Sequence, residues 1–148
     1  MMTEVKIKQL KANAKIPTWG SVDSAGADLY ACTEDLVTEI PPHETIMIPL
    51  GFATEFPKGH AAFIYARSGI ASKRSLAPVN AVGVIDSDYR GEWMVPIHNY
   101  SNEVQIVEDG ERICQVVFQE VEHPTFEVTN DLEDTDRSTG GFGSTGTK

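Results

Sequence analysis

Ile46-Met47-Ile48-Pro49-Leu50-Gly51-Phe52-Ala53 sets Ile46, Ile48, Leu50 and Phe52 at alternate positions. A repeat of two is the period of a β-strand, so this stretch puts four large apolar side chains on one face. The same alternation recurs in Trp93, Val95 and Ile97, in Cys114, Val116 and Phe118, and in Phe126 and Val128. Val5 to Ile7, Ala61 to Tyr65 and Val104 to Val107 are shorter candidates. Pro41-Pro42, Pro57-Lys58-Gly59, Ser101-Asn102 and Glu108-Asp109-Gly110 supply turns between them. Many short strands at this spacing predict an all-β sandwich or barrel. No sustained helical stripe competes; one short helix is expected from Ser68-Gly69 through Lys73.

A chain of 148 residues suits one compact domain, and 41% hydrophobic content is enough to fill its core. The expected division is a β-barrel over residues 1–130 and a carboxyl-terminal arm over 131–148. In that arm an acidic linker (Asp131, Glu133, Asp134, Asp136) precedes a run of Gly, Ser and Thr broken only by Phe142. Acidic residues outnumber basic ones 22 to 12, for a formal charge of −10. Such a surface repels nucleic-acid backbones, which argues against stable binding to DNA or RNA. It also repels a nucleotide triphosphate, so phosphate binding needs locally gathered arginines or a divalent cation.

Cys32 and Cys114 form no disulfide framework or metal spacing and read as buried small hydrophobes. His43, His60, His98 and His123 are too dispersed for a zinc site. The charged residues near Met1 and the absence of a long apolar run predict a soluble protein of the cytoplasm, with no membrane span.

Five segments hold residues that a plain β-sandwich does not require. Asp28 sits among small residues in Ser24-Ala25-Gly26-Ala27-Asp28, where turn capping is an adequate reading. In Arg67-Ser68-Gly69 a strand ends in an arginine, a hydroxyl and a glycine that lets a ligand approach the backbone, just before the short helix. Asn80-Ala81-Val82-Gly83-Val84-Ile85-Asp86-Ser87-Asp88-Tyr89-Arg90-Gly91 runs from an apolar strand into two carboxylates, an aromatic and an arginine. An aspartate at the rim of an apolar strand is expected to be partly desolvated, which suits a base that takes a proton from water. Gly110 to Phe118 carries Gln115; strict alternation puts Arg112, Cys114 and Val116 on one face and Ile113, Gln115 and Val117 on the other. The tail, Arg137 to Gly146, offers backbone donors, hydroxyls, a guanidinium and one aromatic, the inventory for wrapping a polyphosphate.

In this order and spacing the five segments resemble the motifs of the trimeric dUTP pyrophosphatases (dUTPases), from about Ser24 to Gly146. The resemblance implies a jelly-roll-like β-fold, a homotrimer with active sites shared between chains, and an arm that closes over bound nucleotide. It implies hydrolysis of dUTP to dUMP and pyrophosphate with Mg2+, which limits uracil in DNA and supplies dUMP for dTMP synthesis. Asp86 resembles the aspartate that readies the attacking water and contacts the 3′-hydroxyl. Tyr89 resembles the tyrosine that packs on deoxyribose, and Asn80 with Gly83 the hairpin that reads uracil. Arg67, Ser68, Gly69 and Gln115 resemble phosphate-contacting residues. Asp28 resembles an acid supporting the metal-water shell; the metal has no direct protein ligand and rides on the phosphates. In the arm, Phe142 resembles the lid over uracil, and Arg137, Gly143, Ser144 and Thr145 resemble terminal-phosphate ligands. The usual Arg-Gly of that arm is Arg137-Ser138 here, which costs on the order of a kcal/mol if the position needs a positive φ.

Two other readings use the same residues. A dCTP deaminase shares the implied fold, but Asp86, Tyr89 and the full glycine-rich arm favour the pyrophosphatase. A regulatory protein partner binding a nucleotide-dependent state is compatible with the sequence and has no motif of its own.

Overall fold

The computed structural model describes residues 4–142. Five strands form the largest sheet, in the order β2 (Thr18–Trp19), β3 (Ala27–Tyr30), β12 (Arg112–Glu120), β7 (His60–Ala66) and β9 (Gly83–Asp86). A second sheet contains β5 (Thr45–Pro49), β10 (Met94–Asn99) and β8 (Leu76–Pro78). Two further pairs complete the jelly-roll-like β architecture: β1 (Lys6–Gln9) with β6 (Phe52–Glu55), and β4 (Val37–Ile40) with β11 (Gln105–Glu108). Every pairing is antiparallel. The one helix among the described residues, α1 (Ser68–Arg74), links β7 to β8 where a short helix is expected.

The inward faces meet in one core that includes Leu29, Ile40, Ile48, Leu50, Phe52, Ile64, Trp93, Val95, Ile97 and Val116. Trp93 packs at 5.3 Å from Phe52, centroid to centroid, and its indole N–H donates to Thr54 Oγ1 at 3.1 Å. That bond satisfies the ring's polar atom inside the core. The buried Asn99 amide donates to the carbonyls of Ile40 and Glu103, tying β4 to the turn after β10.

Ile48, Leu50 and Phe52 are all fully buried, as the alternation demands, but they do not form one strand. The chain breaks at Gly51 (φ +77°), which passes it from β5 in one sheet to β6 in another. Alternate burial holds only as far as Leu50; Gly51, Phe52, Ala53 and Thr54 are all buried where the hydrogen-bond partners change.

Two other expectations are corrected. Phe126 and Val128 form no strand; they are almost wholly exposed, and the regular structure ends with β12 at Glu120. The last backbone tie to the body is Val121 N–H to Gly59 C=O at 2.9 Å. In β12 the strict alternation fails at a bulge between Arg112 and Cys114, where Ile113 and Cys114 are both buried.

Cys32 and Cys114 are free and buried, and burial pushes the Cys114 thiol up to about 12. No helix among the described residues is long and apolar enough to cross a membrane.

Because a thiol must ionise to react, both cysteines should resist iodoacetamide in the folded protein at mildly alkaline pH and react on denaturation. Rapid labelling of Cys114 in the native state would contradict its placement. Gly51→Ala should be a costly change: its Cβ would lie 2.5 Å from Cys32 Sγ and 2.8 Å from Ala14 Cβ, at a positive φ. A loss of about 2–4 kcal/mol is expected in urea unfolding, from the left-handed backbone and overpacking together.

Candidate functional site

The bulge in β12 assembles the first cluster. After it, Gln115 stands opposite Asp28 of β3, while Arg112 stands opposite Tyr30. Arg112 and Gln115, assigned to opposite faces by simple alternation, thus line the same polar pocket with Asp28, Arg67, Ser68 and Gly69. Arg112 was missed as a site residue because a one-residue bulge leaves no mark in the hydrophobic pattern.

Asp28 is the hub of this pocket. Its side chain is 14% exposed, with one oxygen 2.9 Å from Arg67 Nε and the other 3.2 Å from Arg112 Nη1. Arg67 Nη1 also donates to the Arg112 carbonyl at 3.2 Å. Two edges of the Arg67 guanidinium are therefore held, and its Nη2 donors are left to serve a ligand. Gln115 Nε2 donates to the Ala66 carbonyl at 3.0 Å, which leaves its amide oxygen as an acceptor. A Cβ on Gly26 would approach that oxygen to 2.7 Å, so any side chain there would displace the Gln115 amide.

Gly69 is a different case. A Cβ at this position meets nothing within 4 Å, and its φ is not in the left-handed region. Packing and backbone strain give no reason for glycine in the first turn of α1. The missing side chain leaves the Ser68-Gly69 backbone open toward the pocket, and no acidic residue or side-chain cap competes in that turn.

A second cluster lies on β9 and the turns at its ends. Before the strand, Asn80 is exposed, and its C=O accepts from Val82 N–H at 2.7 Å around Ala81, which adopts φ +62°. Gly83 pairs with Ile64, and a Cβ there would press on Ile64 Cβ at 3.2 Å. At the far end, Tyr89 N–H donates to Asp86 C=O at 3.1 Å, closing a turn around Ser87-Asp88. Arg90 Nη1 donates to the carbonyls of Ser87 (2.8 Å), Tyr89 (3.2 Å) and Thr54 (3.3 Å), which fastens that turn to β6. The arginine that looked surplus in sequence is thus a brace for the turn.

Asp86 is exposed, not partly desolvated as its apolar strand suggested. The reason is topological: β9 is the last strand of its sheet, and Asp86 is its last residue. An edge strand has no neighbour to exclude water from its outer side.

The two clusters do not meet on one chain. Asp86 pairs with Ala61 near the start of β7, whereas Arg67 follows Ala66 at its end. Six residues of extended chain separate these levels by roughly 20 Å. In the arm, Arg137 Nε donates to Gly140 C=O at 2.8 Å, and Phe142 is fully exposed. Ser138 adopts φ +43°, the left-handed conformation in which serine is disfavoured against glycine. Gly143, Ser144 and Thr145 lie outside the described residues.

Among the described residues no three His, Cys, Asp or Glu side chains cluster to hold a metal ion. The polar pocket's donor set, two guanidinium groups, an amide and open backbone around one carboxylate, fits an anion better than a bare cation.

With this geometry in hand, the comparisons with known proteins point one way. The dUTPase family model matches residues 12–146. A deoxyuridine 5′-triphosphate nucleotidohydrolase of Finegoldia magna is 41% identical over 96% of this chain and 99% of its own length. The enzyme of that name from Desulfitobacterium hafniense is 45% identical over 97% of this chain and 96% of its own length. Among solved structures, a variant of the Staphylococcus bacteriophage 80alpha dUTPase with dUpNHpp superposes with a TM-score of 0.86 at 25% identity. That alignment covers 97% of this chain and 99% of the phage protein. The chain belongs to the dUTPase family of hydrolases.

Proposed function

We propose that this chain hydrolyses dUTP to dUMP and pyrophosphate at a site shared between the chains of a homotrimer. The observation that carries this reading is the separation of Asp86 from Arg67 along β7. A base must come within roughly 3 Å of the water it deprotonates, and that water must touch the phosphorus it attacks. A triphosphate held by Arg67 is out of reach of Asp86 on the same chain. A neighbouring chain that brings its β9 edge to the Arg67 pocket closes the gap and also removes the solvent around Asp86.

In the assembled site Asp86 accepts a proton from water as that water attacks the α-phosphate, and its second oxygen orients the sugar 3′-hydroxyl. Arg67 Nη2, Ser68, the Gly69 backbone and Gln115 hold the phosphates and stabilise the charge that develops on them. Asn80 and the outward backbone groups of Gly83 on the edge strand present donors and acceptors to uracil, and Tyr89 packs on the deoxyribose. Arg137 and Phe142 of the arm close over the terminal phosphates and the base, joined by Gly143, Ser144 and Thr145. The exposure of Phe126 and Val128 supports a segment that leaves its own body to pack on another chain.

Magnesium fits this site as an ion carried on the substrate's phosphate oxygens. Asp28 would meet it through water, since each carboxylate oxygen keeps a lone pair beyond its arginine bond. When bound, the ion neutralises part of the triphosphate charge. In the cell this reaction would keep uracil out of DNA and supply dUMP for dTMP synthesis.

The first test is pyrophosphate release from dUTP, dTTP, dCTP and UTP with and without magnesium, with rapid release expected for dUTP alone. Ammonia from dCTP would replace this reading with a deaminase. Asp86→Asn should bind dUTP yet lose turnover by about 10²–10⁴-fold. Mixing inactive Asp86→Asn chains with inactive Arg67→Gln chains under exchange should restore activity, because mixed trimers hold some intact sites. No recovery from proven mixed trimers would sink the shared site. Gly69→Ala should leave the melting curve almost unchanged while raising the KM for dUTP; an unaltered KM would remove the Gly69 backbone from the substrate contacts.

A further inference from the structure

Gly91 stands just after the substrate-contacting turn and has no role in the reading above, on which this inference rests. Its φ is not in the left-handed region, so the backbone gives no reason for glycine. Space does: a Cβ at Gly91 would lie 2.4 Å from Tyr89 Oη, 2.5 Å from Cζ and 2.9 Å from Cε2. All three nearest atoms belong to the Tyr89 ring. Real Cβ contacts to ring carbons are wider by most of an ångström, so any side chain here forces the ring to move.

The ring has a definite seat to lose. Tyr89 Oη donates to the Glu92 carbonyl at 3.0 Å, its N–H is bonded to Asp86, and its carbonyl accepts from Arg90. The backbone on both sides of the ring is therefore fixed, and the ring lies folded over the Gly91 Cα. The tyrosine is 43% exposed, so its outer side is left uncovered among the described residues. Met47, Val84, Met94 and Asp86 line the depression that the seated ring completes.

We infer that Gly91 is a specificity-determining position: by admitting the Tyr89 ring onto the backbone, it sets the room available for the sugar and so the choice of deoxyribose over ribose. A 2′-hydroxyl is discriminated by a surface in van der Waals contact with the sugar, and such selection decays when the surface moves by about an ångström. Displacing the ring lengthens the Oη bond to Glu92 and unseats the wall beside the sugar, which gives ribose room that the seated ring denies. That lowers the preference for dUTP over UTP.

The test is Gly91→Ala, assayed as the ratio of kcat/KM for dUTP to that for UTP. The ratio should fall about 10-fold or more, while the affinity for inorganic pyrophosphate, which has no sugar, stays at the wild-type value. Loss of fold alone lowers both nucleotides equally and leaves the ratio unchanged. Adding Gly91→Ala to Tyr89→Ala should change the ratio no further, because both act through the one ring. Tyr89→Phe, which keeps the ring and removes its anchor on Glu92, should give a smaller fall in the same direction. An unchanged ratio in folded Gly91→Ala, or a full additional loss in the double variant, would overturn the inference. A wild-type protein that does not prefer dUTP would instead overturn the proposed function itself.

Discussion

The ladder that β7 forms with β12 on one side and β9 on the other determines what each part of the surface can do. Antiparallel pairing to β12 brings Gln115 beside the exit of β7, where Arg67 and Ser68 follow. Pairing to β9 on the opposite edge runs the chain back, so Asp86 ends beside the strand's entry. The same register that builds a phosphate-sized cluster at one end therefore exports the carboxylate to the other. Moving β9 by two residues would preserve the side-chain faces but carry Asp86 off the end of the sheet. In the present register Gly83 faces Ile64, where a Cβ would lie 3.2 Å from Ile64 Cβ and press on it.

Charge is arranged at two scales. The whole chain carries −10, yet the polar pocket concentrates Arg67 and Arg112 around a single carboxylate. Without Asp28 the two guanidinium groups would repel each other and spread into solvent. With it, they are held 3.2 Å or less from a shared anion, and one net positive charge remains for a ligand. Hydrogen bonds to charged groups contribute about 1.5–3 kcal/mol each, so a few of them in a recessed pocket outweigh diffuse repulsion screened by salt. A diffuse negative surface opposes a long polyanion more than a compact anion that meets the two guanidinium groups directly.

The sequence was most readable where a local pattern has a single structural solution. Alternation located the buried faces of β5, β10 and the part of β12 beyond its bulge. The positions of Arg67, Gln115 and Asp28 near one another followed only from the resemblance, and the contact network among them was not legible. Arg112 was lost because bulges are backbone events decided by cross-strand fit. Phe126 and Val128 were misread because alternation signals a strand that will be covered, without saying which chain covers it. Asp86 was misread for a related reason: an apolar strand implies burial only if a neighbour lies on both sides. Gly69 and Gly91 look alike in sequence, yet one leaves a cleft open and the other seats a ring.

The exposure of Asp86 has a further meaning for how activity and assembly are linked. A water molecule beside an exposed carboxylate has no fixed direction. In the proposed trimer, burial against a second chain would strip bulk solvent from the carboxylate and leave it one oriented water. The described hydrogen bonds of the arm are all local, and Ser138 already sits in the conformation that a glycine would adopt more easily. Ordering it over a ligand costs roughly 1–2 kcal/mol of backbone entropy per residue, which only phosphate and base contacts can offset. In the proposed trimer, assembly would supply a solvent-poor setting for Asp86, and nucleotide would supply the energy for closure. Under that proposal a lone chain would have little means of catalysis, and an empty arm little reason to stay closed.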